Sequence, residues 1–206
     1  MKQNNSTRRS FTLLELLFVI ALATFIMVIA LPNIQMFLRS NDLSNAGRIV
    51  EQAFTNARML ATTRGRRVEA RLIRFDTTNQ VRGIQLFIFD ESGVKATPAS
   101  AFRPLPHTVT VNLHTQNSTL WAELPDKNFS TDDPDDPKVN VPEAGTAYTA
   151  RAILFLPNGG LALNPDKNWF LTLQNNNANW TSSTLPANFY CIQIDPVLGT
   201  LRTYRP

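Results

Sequence analysis

The period of the apolar positions divides the 206-residue chain. From Leu13 to Leu31 every residue is apolar except Glu15 and Thr24. After Pro32, apolar residues recur at helical steps: Ile34, Leu38, Ala46, Val50, Ala53, Ala57 and Leu60. Arg39, Asn45, Arg48 and Asn56 fall on other faces. Gly65 follows Arg64 as a helix stop, and Arg58 and Arg64 suit the dipole of a helix C-terminus. The pattern predicts one helix over residues 11–64, roughly 80 Å long at 1.5 Å per residue. Its first half would lie in a membrane and its second half would lay an apolar stripe on a globular domain. Pro32 removes the helical hydrogen bond to the Val28 carbonyl and predicts a bend there.

From Arg67 the period becomes two. "RVEARLIRF", "GIQLFIFD", "HTVTVNLHT", "RAILFL", "NWFLTLQN", "FYCIQID" and "TLRTYR" read as strands. In the third, Val109, Val111 and Leu113 alternate with Thr108, Thr110 and Asn112, as in a strand with one solvated face. "DESG" (Asp90–Gly93), "PNGG" (Pro157–Gly160) and "DPVLG" (Asp195–Gly199) read as turns. Asp126 to Gly145, with "DDPDDP" at its centre, reads as a polar loop. The expected fold class is α+β, a long N-terminal helix on an antiparallel sheet.

Charge sharpens the division. Residues 1–10 carry Lys2, Arg8 and Arg9 and no acid, and residues 39–74 carry eight arginines against Asp42, Glu51 and Glu69. From residue 75 onward nine bases face twelve acids, a net of −3. The chain's pI of 9.6 therefore belongs to its N-terminal third. The single cysteine, Cys191, excludes an internal disulfide and a cysteine-based zinc site, and reads as a buried strand thiol.

Catalytic signatures are missing: there is no P-loop, G-x-S-x-G, H-E-x-x-H or dinucleotide fingerprint. His107 and His114, seven residues apart on one expected strand, would point to opposite faces and share no metal. Asp132–Asp136 offers oxygen ligands of the kind calcium takes. Its spacing is not that of an EF-hand and two prolines interrupt it, so it reads as a solvated loop. The expectation is a non-enzyme without cofactor or metal.

A basic leader before an apolar run fits a cleaved secretory signal ending near Val28–Ala30. It also fits a signal anchor with its N-terminus held in the cytoplasm. Neither explains Glu15, since a carboxylate in hydrocarbon is costly unless something compensates it.

"SFTLLELL" supplies a third reading. With the basic leader and Pro32, it resembles the N-terminal signal of type IV pilins and type II secretion pseudopilins. The resemblance implies cleavage between Ser10 and Phe11 by a prepilin peptidase, N-methylation of Phe11, and a membrane helix that follows at once. Ser10 stands where the family usually has glycine. In that family the carboxylate at the position of Glu15 pairs with the N-terminal amine of a neighbouring subunit, which makes it an assembly residue. The implied boundaries are a leader (1–10), a transmembrane and filament-core helix (11–32), an amphipathic continuation (33–65) and a periplasmic β domain (66–206).

"AFTNARMLATTRGRRVEARL" (Ala53–Leu72), "ILFLPNGGLAL" and "DPVLGTLRTYRP" resemble the GspH/FimT group of minor subunits. That implies a minor pseudopilin of a type II secretion system. The alternative is a minor type IV pilin, FimT-like, in DNA uptake. Expected partners are the prepilin peptidase and methyltransferase, other pilins or pseudopilins in a filament, and an inner-membrane assembly platform. The expected location is the bacterial inner membrane, single-pass with the C-terminal domain periplasmic, and then a periplasmic filament. Some FimT-like pilins bind DNA through a C-terminal Gly-Arg-x-Arg stretch. Here "GTLRTYR" keeps Arg202 and Arg205 but has Thr200 in place of the first arginine, and the body is acidic, so nucleic acid is not an expected partner. The arginines of Arg64–Arg74 are expected to face acidic headgroups or neighbouring subunits.

Overall fold

The computed structural model describes residues 12–127, 135–136 and 138–206, with residues 28–36 described in backbone only. Helix α1 runs Leu13–Arg64, and the chain divides into two units, Met1–Arg39 and Ser40–Pro206. In the first unit the apolar side chains from Leu13 to Met27 are solvent-exposed. Among the described residues, no helix is long and apolar enough to cross a membrane. The expected span included residues 28–32, whose side chains lie outside the described residues.

The second unit is α+β. One antiparallel sheet is ordered β3 (Ala96–Pro98), β2 (Gln80–Phe89), β1 (Val68–Phe75), β6 (Tyr148–Phe155), with β4 (Arg103–Pro104) also on β2. A second is ordered β5 (Val109–Val111), β7 (Trp169–Asn175), β8 (Phe189–Ile194), β9 (Leu201–Tyr204). A single turn of helix, α2 (Thr119–Ala122), lies between β5 and β6 in sequence. The antiparallel β domain is thus divided into two sheets, a pairing order that is a tertiary property and that strand periodicity does not encode.

Within this unit α1 buries Leu43, Ala46, Val50, Ala53, Phe54, Ala57 and Ala61. They join Val68, Ala70 and Leu72 of β1, Ile153 and Phe155 of β6, and Leu171 and Ile192 of the second sheet in one core. Small residues allow the close approach. A Cβ on Gly47 would sit only 2.6 Å from the Tyr190 ring. Leu38, expected on the packed stripe, is 54% exposed and belongs to the first unit.

The helix ends as the sequence reads. Gly65 takes φ +62°, and the Arg66 N–H donates back to the Ala61 carbonyl at 3.2 Å, the six-to-one bond of a glycine C-cap. No atom lies within 4 Å of a Cβ built on Gly65, so an alanine there meets only backbone strain. Gly65→Ala is expected to destabilise the Ser40–Pro206 unit by about 1 kcal/mol. Equal urea midpoints for the two proteins would reject the cap.

Strand β1 is buried along nearly all its length, so both faces need cover. On the face away from α1, Ile73 and Phe75 pack with Val141, Tyr148 and Ala150. Arg71, 2% exposed, lies there with its guanidinium carbon 3.5 Å from the centre of the Phe87 ring. It binds Glu69 (2.8 Å) and Asp136 (2.6 Å), while Lys127 reaches the same carboxylates at 2.5 and 2.7 Å. The Asp126–Gly145 segment, read as a polar loop, is tied to the sheet at a few points where it is described. Lys127 pairs with Ala150 as an isolated bridge, Val141 is buried, and Asp136 closes the ion cluster.

The expected strand at 107–115 also contracts, to Val109–Val111. Thr110 and Asn112 are as buried as the valines, because Thr110 donates to the Val81 carbonyl and Asn112 to Gln174. Both histidines lie off that strand. The β1–β2 register shifts at Arg82, and this bulge turns the Arg82 guanidinium toward the second sheet, where it donates to the Val109 carbonyl at 3.2 Å. Burial lowers the Arg82 pKa from its ordinary value.

Candidate assembly site

At the start of α1, Thr12 and Glu15 bond reciprocally. Glu15 Oε2 accepts from the Thr12 N–H and hydroxyl, both at 2.9 Å. The Glu15 N–H in turn donates to Thr12 Oγ1 at 3.2 Å. This is a capping box, in which a threonine and a glutamate three residues later satisfy orphan donors of the first helical turn. The carboxylate also sits at the positive end of the helix dipole. "TLLE" carries this signal in the sequence, in a spacing that apolar periodicity does not report.

Among the described residues, the surface around the box is apolar. Leu13 and Leu14 are 83% and 77% exposed, and Leu16, Leu17, Phe18 and Val19 are exposed beside them. The site offers no nucleophile and no acid–base pair. Its chemistry is one carboxylate in an apolar field, suited to pairing with one cation. Glu15 Oε1 accepts no hydrogen bond among the described residues. Ser10 and Phe11, the expected cleavage and methylation positions, lie outside the described residues. Pro32 lies within α1, in the stretch described by backbone alone.

The other candidate residues are not brought together. Arg205 donates to the Ser40 carbonyl (3.1 Å), the Ser40 hydroxyl (2.5 Å) and the Ser44 hydroxyl, anchoring the C-terminus to α1. Arg202 is exposed on β9 opposite Gln193. In the acidic stretch, Asp132 and Asp133 lie outside the described residues, and Asp136 is bound to Arg71 and Lys127. Among the described residues, no three His, Cys, Asp or Glu side chains group as a metal site. His107 Nδ1 lies 2.8 Å from the Arg82 guanidinium, and His114 Nδ1 accepts from the Gln116 N–H. Cys191 is half-buried on β8, and burial raises its thiol pKa.

No family model and no curated protein matches the chain. Its fold is similar to two solved structures. One is the type IV minor pilin FimU of Pseudomonas aeruginosa PAO1, with TM-score 0.46 and 15% identity over 82% of this chain and 96% of that one. The other is the minor pseudopilin EpsH from the type 2 secretion system of Vibrio cholerae, with TM-score 0.43 and 12% identity over 80% and 98%. Identities this low say nothing of function.

Proposed function

We propose that the chain is a pilin-like filament subunit, specifically a minor pseudopilin of a type II secretion system. The observation that carries the reading is Glu15. It is the single acid in an exposed apolar helical surface, one turn after a Ser10–Phe11 junction that resembles a prepilin processing site. Cleavage there leaves a cationic amine on Phe11. A carboxylate and an amine from adjacent subunits then form a pair that is nearly neutral in lipid, whereas either alone is costly to bury. Residues 11–32 serve as the membrane anchor and later the filament core, and the Ser40–Pro206 unit makes the lateral contacts. The subunit is a substrate of the peptidase and methyltransferase and not itself an enzyme.

DNA uptake is the weaker reading. Phosphate binding rests on clustered positive charge, and Arg205 is spent on Ser40 and Ser44 while Arg202 stands apart from it. The test of processing is the intact mass of the membrane-extracted protein with N-terminal peptide mapping. A chain beginning at N-methylated Phe11 is expected. One beginning at Met1 or near Leu31 would remove the filament reading.

A further inference from the structure

The second unit holds a groove of about 520 Å³ between α1 and the start of β9, lined by Glu51, Thr55, Arg58, Met59, Thr62 and the Gly199–Leu201 segment. Two glycine turns close on the Arg58 side chain. Gly159 has φ +87° and Gly199 φ +63°. A Cβ on Gly199 would lie 3.2 Å from Arg58 Cδ and run into the Gly159 carbonyl, and one on Gly159 would lie 3.6 Å from Arg58 Nε. The "PNGG" and "DPVLG" turns thus meet in space and form a cradle for one arginine stem.

Arg58 as a residue is partly buried, yet among the described residues its guanidinium has no hydrogen-bond or ion-pair partner. Other arginines withdrawn from solvent behave differently. Arg66, Arg71, Arg74 and Arg151 are paired with carboxylates, and Arg82 donates to backbone carbonyls. The Thr62 hydroxyl is spent on the Arg58 and Met59 carbonyls, so it offers no relief. A fork of donors without an acceptor favours a planar carboxylate, which it can hold through two bonds.

The surroundings narrow the ligand. Met59, Val197 and Leu198 are exposed around the groove and its turn. Glu51 stands two helical turns from Arg58, roughly 10 Å along the helix, and accepts from the Tyr190 hydroxyl at 3.5 Å.

We propose that this groove docks a protein partner through an acidic side chain flanked by apolar residues, with Arg58 as the carboxylate-binding residue. The proposal is independent of the filament reading, and either can fail alone.

The test uses the full chain in uncharged detergent micelles and follows the Arg58 Nε–H signal by NMR. The probes are acetyl-Leu-Glu-Leu-amide, its glutamine counterpart and inorganic phosphate. The glutamate peptide is expected to shift the signal saturably, and the glutamine peptide to bind about tenfold more weakly or not at all. Arg58→Lys, which keeps the charge but loses the fork, should weaken binding about tenfold, and Arg48→Gln on the exposed helix surface should leave it unchanged. A stationary Arg58 signal, an equal response to phosphate, or an equal loss in Arg48→Gln would each overturn the proposal. The peptide comparison on the unsubstituted chain stands even if Arg58→Lys fails to fold.

Discussion

On the proposed pairing, Glu15→Ala is expected to lower incorporation into the filament by roughly tenfold or more, because the amine that cleavage would leave on a neighbour's Phe11 would then enter lipid unpaired. Membrane insertion should be unharmed or improved, since a charge has been removed from the apolar run. The capping box complicates a simple alanine scan: the same substitution also strips Thr12 of its partner and frays the first turn. Glu15→Gln separates the two roles, because glutamine can close the box without carrying charge. The subunit is assayed as the fraction recovered in sheared, sedimented filaments against the fraction left in the membrane. If the charge is what matters, Glu15→Gln fails like Glu15→Ala. A glutamine variant that assembles like the parent would reduce Glu15 to a helix cap, and the pairing mechanism would have to be abandoned.

The second large effect concerns stability. Arg71→Ala is expected to destabilise the Ser40–Pro206 unit by about 3–5 kcal/mol, the usual cost of leaving buried charges without a partner. Arg71 is nearly inaccessible and holds both Glu69 and Asp136 under the Phe87 ring. Its loss removes one of the cations that hold the two carboxylates, which Lys127 also reaches. Asp136→Asn should cost less, because that side chain is 19% exposed and water can reach it. Urea unfolding followed by circular dichroism gives both numbers. A loss below about 1 kcal/mol for Arg71→Ala would mean that solvent enters the cluster and that the ions matter little.

Much of the fold was legible before any coordinates. The apolar steps over Ala46, Val50, Ala53 and Ala57 and the Arg64–Gly65 stop define a helix whose described end is Arg64, with the positive φ that glycine allows. The period-two runs placed β1, β2, β6, β7, β8 and β9 close to their observed bounds. The turns at Gly93, Gly159 and Gly199 all take positive φ, as their glycines suggested. Less legible were the short strands β3 and β4, which have too few residues to show a period. The cover over the outer face of β1 was hidden too. In the Asp126–Gly145 stretch, six acids and three prolines stand among mostly polar residues, and Phe129, Val139, Val141 and Ala144 are its apolar side chains. Its packing depends on Asp136 meeting Arg71, 65 residues away in sequence.

The candidate site divides the same way. Glu15 stood out because one acid in an apolar run breaks a rule that local sequence enforces, and the capping box was equally local, spanning four residues. Arg58 did not stand out, since one more arginine on a basic helix is unremarkable until its surroundings are known.

The sequence by itself therefore determined the elements whose causes are local: helix period, strand period, turn glycines and the lone acid. Tertiary structure decided the pairing of strands into two sheets, the ion cluster over Phe87 and the cradle around Arg58. Each of these joins residues far apart in the chain, and which distant groups meet is set by the packing of the whole unit and by no single segment.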